Sequence, residues 1–197
     1  MLIQLSALHN WTVAADDDDI GAIVDVHYDD ERWDARHLVV ETGGWLDARR
    51  VLLPPSSLRR AHGDVGKLRA SLTREQVAAS ADVDVDRPVG QVVAPAPAVD
   101  ALTDTSDAAT RQSHLRSARE LIGYRMQAED GDAGDVDDVA IDDETWAVRG
   151  LVVDARRWWP GGRVLVEPAS IVEVDWAGGT VAVRLTREQV KQLPAAE

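Results

Sequence analysis

The chain has 197 residues, no cysteine, 45% hydrophobic and 28% charged residues, and a net charge of −14. This composition is typical of a globular protein with a hydrophobic core, and the absence of cysteine excludes disulfides, thiolate metal sites and a cysteine nucleophile. The acidic charge disfavours nucleic acid and anionic lipid surfaces as partners. With no run of about 18 apolar residues and no signal-peptide pattern in the first residues, we expect a cytoplasmic protein.

Six short apolar runs, each bounded by turn residues, predict six strands in the first part of the chain. The runs lie at residues 11–14, 23–28, 33–42, 49–53, 58–61 and 67–72. Asp29, Asp30 and Glu31 separate the second run from the third, where aspartate favours a turn by hydrogen-bonding its own backbone. Short strands at such close spacing indicate a meander that closes into a small barrel.

A short helix is predicted after the sixth strand. Thr73 can cap this helix, and Gln76, three residues later, completes a capping box. Beyond the helix, residues 82–117 contain three prolines among alanine, aspartate, threonine and serine. Because this composition favours extended or mobile backbone, we predict a linker over residues 82–117.

The second part of the chain repeats the first. Residues 119–190 align with residues 6–77 at a constant shift of 113 without a gap, and 28 of the 72 pairs are identical. The ending Leu-Thr-Arg-Glu-Gln-Val is identical in both copies, so a second capped helix is predicted at Thr186. Positions 23/136, 26/139 and 28/141 are apolar in both copies. Their two-residue period slips by one, as a β-bulge would cause.

These patterns predict an all-β fold with short helices. It consists of two tandem small antiparallel β-barrels, each followed by a short α-helix. The predicted domains are residues 1–81 and 118–197, with the linker at residues 82–117 between them.

The order of motifs resembles that of the PRC-barrel domain. In the second copy the pattern consists of Leu121-Ile122-Gly123, an acidic stretch ending at Gly134, Asp138-Val139, an acidic turn with Trp146, and a Leu-Val-Val strand. The first copy departs at its start, where His9-Asn10-Trp11 replaces Leu-Ile-Gly. Bacterial double PRC-barrel proteins are more similar still, because they share the Trp-Trp-Pro-Gly segment, the Leu-Thr-Arg-Glu endings and a stretch like residues 82–89.

The resemblance covers both copies and implies two PRC-barrels. The family includes the cytoplasmic part of the photosynthetic reaction-centre H subunit and the C-terminal domain of the ribosome maturation factor RimM. This chain departs from an H subunit because it has no predicted membrane helix.

Each copy has an acidic loop before its Asp-Val strand, and clustered carboxylates are suitable ligands for Ca²⁺ or Mg²⁺. The loops do not follow the EF-hand order, because Gly134 precedes Asp135 and no glutamate closes the loop. We therefore predict solvated turns, with no bound metal and no cofactor. The carboxylates that a weakly bound cation would use are Asp17, Asp19, Asp130 and Asp132.

The titratable residues form no pattern typical of a catalytic site. The five histidines show no i, i+4 spacing, no histidine aligns with another between the copies, and no serine lies in a nucleophile elbow. We predict that the protein is not an enzyme.

Two features favour an interaction surface. Trp158 and Trp159 are adjacent, and because successive residues of an extended strand point in opposite directions, one of the two is expected to be exposed to a partner. Arg59 and Arg60 form a basic edge in the first copy only, since Val172-Glu173 takes their place in the second. These four aromatic and basic residues are the predicted interaction site.

The leading functional hypothesis is a non-catalytic scaffold or adaptor that mediates protein–protein assembly. Its protein partner is unidentified, and a homodimer is one arrangement. One alternative is an H-subunit-like role in electron and proton transfer, with association to a membrane complex through a partner. The other is RNA-linked ribosome maturation like that of RimM, which the net charge and the missing N-terminal RimM domain disfavour.

Overall fold

The computed structural model describes residues 1–9, 11–15, 18–60, 66–83, 88, 114–160 and 162–196. This part of the chain is mostly β, as the sequence predicts, and contains short helices. Its strands are β1 (Leu2–Gln4), β2 (Thr12–Ala14), β3 (Asp19–Asp29), β4 (Asp34–Thr42), β5 (Arg50–Leu53), β6 (Leu58–Arg60), β7 (Lys67–Ala70), β8 (Leu115–Ser117), β9 (Arg125–Ala128), β10 (Gly131–Asp142), β11 (Val148–Asp154), β12 (Arg163–Val166), β13 (Ile171–Asp175) and β14 (Thr180–Val183). Its helices are α1 (Leu5–Leu8), α2 (Arg74–Ala78) and α3 (Arg187–Val190).

The chain divides into two compact units whose boundaries differ from those of the predicted domains. The continuous unit is Leu8–Ser117, and the discontinuous unit is Met1–Ala7 together with Ala118–Glu197. Strand β1 therefore belongs with the second repeat, and β8 belongs with the first. Most of the predicted linker at residues 82–117 lies outside the described residues, but its end forms β8.

The continuous unit contains a seven-stranded sheet built around the long strand β3. The strand order is β5-β4-β3-β2-β7-β6. Strand β4 pairs along one edge of β3, while β2 pairs with the start of the other edge and β8 with its end. Strands β2 and β7 run parallel.

The discontinuous unit contains an equivalent sheet around β10. Its order is β12-β11-β10-β9-β14-β13, with β1 paired to the end of β10. Strands β9 and β14 run parallel. Both sheets are curled and mixed, whereas the sequence predicted antiparallel strands only. Short apolar runs mark where strands lie but carry no signal of direction, and each parallel pair forms where a later strand of the repeat returns beside an earlier one.

The 113-residue shift seen in the sequence holds in the structure. Strands β5 and β12 occupy equivalent residues, and so do β7 and β14. The isolated bridges Val51↔Asp82 and Val164↔Ala195 are also related by this shift. The repeat is therefore structural over each unit and extends a few residues beyond the helices.

The predicted β-bulge is confirmed in both copies. The register between β3 and β4 shifts between Ile23 and Asp25, and that between β10 and β11 shifts between Val136 and Asp138. A bulge bends a strand and redirects the side chains that follow it. In each copy, the first of these redirected side chains is an aspartate.

The predicted capping boxes are also confirmed. At the start of α2, Thr73 Oγ1 accepts a hydrogen bond from Gln76 N at 3.3 Å, and Gln76 Oε1 accepts one from Thr73 N at 2.8 Å. At the start of α3, Thr186 and Gln189 repeat both bonds at the same distances. Val77 and Val190 are fully buried, so each capped turn anchors one apolar side chain in its unit.

Strands β1 and β8, which we call the exchanged strands, each pair with the long strand of the other repeat. Leu2 lies opposite Asp142 and Gln4 opposite Ala140. Leu115 lies opposite Asp29 and Ser117 opposite His27. Because Leu2 and Leu115 are equivalent in the repeat, as are Asp29 and Asp142, the two exchanged strands bind in the same register.

Candidate functional site

Asp138 fixes the segment that follows β1 in the discontinuous unit. Asp138 is 1% exposed and lies directly after the bulge in β10. The carboxylate accepts hydrogen bonds from Val139 N at 2.8 Å, from Ser6 N at 3.2 Å and from the Ser6 hydroxyl. Burying a carboxylate is costly unless donors replace water, and here two of the donors come from Ser6, in residues 1–7; we call these residues, and β8 in the other unit, the exchanged segments.

Asp25 is the equivalent aspartate of the continuous unit. Its Oδ1 accepts a hydrogen bond from Val26 N at 2.7 Å, and its Oδ2 accepts one from Ser117 Oγ at 2.5 Å. Ser117 lies in β8, whereas Ser6 lies after β1, so the two serines are not equivalent in the repeat. The aspartates are equivalent, and each holds the exchanged segment of its own unit.

His27 lies beside Asp25. With Ser117, these residues supply the serine, histidine and aspartate that also form the catalytic triad of serine hydrolases. Its ring is 2% exposed, and its Nε2 lies 3.9 Å from Asp25 Oδ2. In a hydrolase triad the histidine stands between serine and aspartate and takes the serine proton. Here the Ser117 hydroxyl donates to Asp25 directly. The Asp25–Ser117 bond therefore holds a strand.

The acidic turn of each repeat begins with an aspartate that caps backbone amides. Asp142 Oδ1 accepts from Thr145 N at 2.9 Å and from Glu144 N at 3.1 Å. These bonds, with the Thr145 backbone bond the largest cause, lower the pKa of Asp142 from 3.8 to about 2. Burial opposes this change, because it raises the pKa of a carboxyl.

Asp29 has the same place in the continuous unit. Burial tends to raise the pKa of this carboxyl. Hydrogen bonds from the Arg36 side chain and from the backbone of Arg32 and Glu31 together lower the pKa by more than burial raises it, so the net shift is downward. The Arg36 bond to Asp29 Oδ2 measures 2.9 Å. Both turns are therefore stabilised by an ionised aspartate.

The second aspartate of each turn contacts the exchanged strand. The Oδ1 atom of Asp30 lies 3.0 Å from His114 Nδ1, and its Oδ2 atom lies 3.0 Å from Arg116 Nε. Asp143, its equivalent, lies 2.5 Å from the amino group of Met1. Met1 and His114 are themselves equivalent and directly precede β1 and β8, so each turn places a carboxylate against a nitrogen of the residue before the strand it receives.

We expect the Asp142→Asn substitution to lower the melting temperature at pH 7 and to become less harmful in acid. The pKa of Asp142 is lower in the folded chain than its ordinary 3.8, so ionised Asp142 contributes stability above pH 3.8. That contribution is lost as pH falls through the folded value of about 2. Thermal melts of both proteins between pH 7 and pH 2 measure the difference, which should shrink below about pH 4.

Glu144→Gln is the matched control, because Glu144 is an exposed carboxyl in the same turn. Its melting curve should follow that of the wild type at every pH. A difference between the wild type and Asp142→Asn that stays constant down to pH 2 would contradict the assignment.

The equivalent tryptophans Trp45 and Trp158 each stack against an arginine at the start of a capped helix. The Arg74 guanidinium lies 4.9 Å from the Trp45 ring, and that of Arg187 lies 4.4 Å from the Trp158 ring. Sequence reasoning missed these cation–π contacts. The available signal was that both partners of each pair are identical in the two copies.

Trp158 and Trp159, predicted to include one exposed ring, are both half-buried. Their ring centroids are 6.4 Å apart with planes tilted by 35°. Trp158 Nε1 is buried and has no hydrogen-bond partner within the described chain, whereas Trp45 Nε1 donates to Ile20 O at 2.6 Å. The role of this tryptophan pair in binding a partner stays a prediction.

The predicted weak cation ligands that the structure describes contact nitrogen donors within their own units. Asp130 Oδ1 accepts from Arg187 N at 2.7 Å, and Asp132 Oδ1 accepts from Gly134 N at 2.9 Å. Asp19 Oδ1 lies 3.0 Å from Lys67 Nζ. Asp17 lies outside the described residues. Across the residues that are described, no group of three or more histidine, aspartate or glutamate side chains is placed to hold a metal ion.

Arg59 and Arg69 form an exposed pair of like charges. They lie directly opposite each other on β6 and β7, and both are exposed. Neither makes an ion pair with any described residue, although the chain is strongly acidic. Arg60 differs, because its guanidinium lies 5.6 Å from the Trp11 ring. Within the described part of the chain, β6 is also the last strand of its sheet.

In the second repeat, the positions of Arg59 and Arg69 are occupied by Val172 and Ala182. Val172 is 60% exposed. The arginine pair is therefore a property of the continuous unit alone.

The chain matches no protein-family model and no curated protein sequence. Among the described helices, none combines the length and the apolar character needed to cross a membrane.

Proposed function

We propose that the chain is a tandem PRC-barrel protein that acts as a non-catalytic adaptor, and that the pair Arg59–Arg69 binds an acidic extended segment of a partner protein. The observation that carries the proposal is this pair of exposed arginines, which form no ion pair with described residues and lie opposite each other on β6, the last described strand of its sheet, and on its neighbour β7. The two curled sheets with equivalent strands support the tandem-barrel part of the proposal.

The features that both copies share are explained by folding. The capping boxes, the Trp–Arg stacks, the bulge aspartates and the acidic turns each stabilise their own unit through named contacts. A function specific to this protein is therefore sought where the copies differ, and the arginine pair is such a place.

Protection of a sheet edge explains one charge on β6, because charged side chains discourage edge-to-edge association. It does not explain two like charges directly opposite each other, since such a pair is destabilising. An arginine opposite a glutamate would protect the edge equally well and would add an attractive contact. The repulsion is compensated when a carboxylate-rich segment lies across both guanidinium groups.

An extended segment suits this surface because, among the strands that the structure describes, β6 has a neighbour on one side only. A peptide added along a sheet edge gains backbone hydrogen bonds, and its alternate side chains face the same side. Glutamates at every second position would therefore all lie on the face that carries Arg59 and Arg69.

The experiment measures binding of a fluorescent eight-residue peptide with alternating glutamate and threonine. We expect binding that weakens as salt is added, and a loss of at least about tenfold in affinity for the Arg59→Glu/Arg69→Glu variant. Arg184→Glu is the control, because Arg184 is exposed, lies in the discontinuous unit and forms no ion pair with described residues. Equal affinity of the double variant and this control would refute the proposal.

The single variant Arg59→Glu separates binding from folding. It places a glutamate opposite Arg69, so its free energy of unfolding should rise by about 0.5 kcal/mol while peptide binding weakens. Urea denaturation measures the first quantity and fluorescence anisotropy the second. A variant that loses both stability and binding would assign the arginines to the fold.

A further inference from the structure

Each long strand has an edge strip that receives an exchanged strand from the distant part of the sequence. The strip is residues 27–29 on β3 and residues 140–142 on β10. The occupants β8 and β1 have the same length and the same register. The strips are thus two copies of one binding site for a strand.

The contacts that hold β1 do not depend on which molecule supplies it. Among the described residues they include the backbone pairing with β10, the Ser6 bonds to Asp138, the Arg163 bond to the Gln4 side chain at 3.0 Å and the Met1 contact with Asp143. A second copy of the chain carries the same seven-residue segment, and can therefore make every one of them.

We infer that the chain forms a strand-exchanged dimer, in which two copies trade residues 1–7. Each discontinuous unit would then be completed by Met1–Ala7 of the other copy, and the interface would be closed and twofold symmetric. This inference rests on the exchanged strands and is independent of the proposed adaptor function.

The hinge for this exchange lies within α1. The boundary between the units falls between Ala7 and Leu8, inside a helix of four residues. A helix this short is not stable by itself, because its first turn costs more conformational entropy than one hydrogen bond returns. Opening it frees β1 while Leu8 stays buried in the continuous unit.

Effective concentration decides between the closed monomer and the dimer, since both make the same contacts. A tethered strand has an effective concentration on the order of millimolar. The monomer is therefore favoured in dilute solution, and the dimer is favoured when chains refold together at high concentration. Once formed, the dimer persists on dilution, because dissociation requires β1 to leave β10.

A disulfide trap tests the inference in the full-length chain, which has no cysteine of its own. Gln4 and Ala140 lie directly opposite in the β1–β10 pair, at a separation that suits a disulfide. The Gln4→Cys/Ala140→Cys variant is refolded with a glutathione redox buffer at about 1 μM and at about 1 mM, below and at the effective concentration. We expect an internally crosslinked monomer at the lower concentration and a disulfide-linked dimer on non-reducing gels at the higher.

The control variant is Glu173→Cys/Ala182→Cys, which joins β13 and β14 of one contiguous hairpin. It should give an internally crosslinked monomer at both concentrations. An internally crosslinked monomer for Gln4→Cys/Ala140→Cys at both concentrations, or a dimer that forms equally in the control, would overturn the inference. Circular dichroism of each product confirms that the crosslinked species are folded.

Discussion

Replacing Trp146 by alanine is expected to lower the free energy of unfolding by about 3–5 kcal/mol, and replacing it by glycine by about 1 kcal/mol less. Trp146 closes the turn between β10 and β11, where its N donates to Asp142 O at 2.8 Å. The residue is 7% exposed, so both variants lose a large buried side chain.

The order of the two variants follows from the backbone. The φ of Trp146 is 60°, a left-handed conformation that costs a residue other than glycine about 1–2 kcal/mol. An alanine at this position still has the unfavourable conformation but no buried indole to compensate for it. Glycine adopts the conformation without this steric penalty. Urea denaturation followed by circular dichroism measures both values.

Trp33 provides the control in the equivalent turn. Its φ is 58°, and its ring stacks on Tyr28 with centroids 5.4 Å apart, but it is only half-buried. We expect the same order of alanine and glycine variants with smaller losses. An alanine variant that is more stable than the glycine variant at position 146 would contradict the account of this turn.

Replacing Asp138 by alanine is expected to lower the free energy of unfolding by about 2–3 kcal/mol, because Val139 N and Ser6 N lose their acceptor. Val139 N is buried, so water does not replace the carboxylate there. The variant should also loosen β1, and the amide hydrogen of Ile3, which faces β10, should exchange faster than in the wild type.

Asp135→Ala is the matched control for Asp138. The Asp135 side chain lies on the same strand, is 29% exposed and pairs at 3.0 Å with Arg157, which is 67% exposed, an ion pair of the kind that contributes about 0–1 kcal/mol. A loss for Asp138→Ala no larger than that for Asp135→Ala would show that Asp138 does not hold the exchanged segment.

The features that the sequence predicts correctly are local. The slip in apolar period at positions 23, 26 and 28 indicates the bulge, because the side-chain period of a strand is two. Thr73 and Gln76 indicate the capped helix, because the capping box needs only residues three apart. The constant shift of 113 then transfers both features to the second copy.

The exchange of strands could not be predicted in this way. Leu2 and Leu115 are equivalent, and Asp29 and Asp142 are identical, so either exchanged strand fits either long strand by pattern alone. Which strand pairs with which sheet depends on where the chain passes from one unit to the other, and local composition gives no signal of these positions. The prolines after the first repeat indicated a linker between domains, whereas β8 at its end completes the first repeat's own sheet.

Only part of the candidate site was predicted, because the rest depends on contacts between residues distant in sequence. Arg59 stood out because it differs between the copies, but its partner Arg69 lies ten residues away and is found only through the register of β6 and β7. Arg74 and Arg187 belong to the Leu-Thr-Arg-Glu-Gln-Val motif, from which only the capped helices were predicted. Their stacking on tryptophan depends on contacts 29 residues apart in sequence.

The reciprocal exchange of β1 and β8 is the central claim, and cutting the chain between the repeats tests it most directly. A protease recognition sequence is inserted between Asp100 and Ala101, and the cleaved protein is analysed by size-exclusion chromatography under native conditions. Each fragment carries a strand that completes the unit of the other. We therefore expect the fragments to elute together as a one-to-one complex.

The same cleavage in an Ile3→Pro/Arg116→Pro variant identifies the source of the association, because proline in the middle of β1 and β8 disrupts their pairing. The account predicts that the wild-type fragments stay together and that the fragments of this variant separate. Wild-type fragments that separate as two folded proteins, or variant fragments that remain bound, would contradict it.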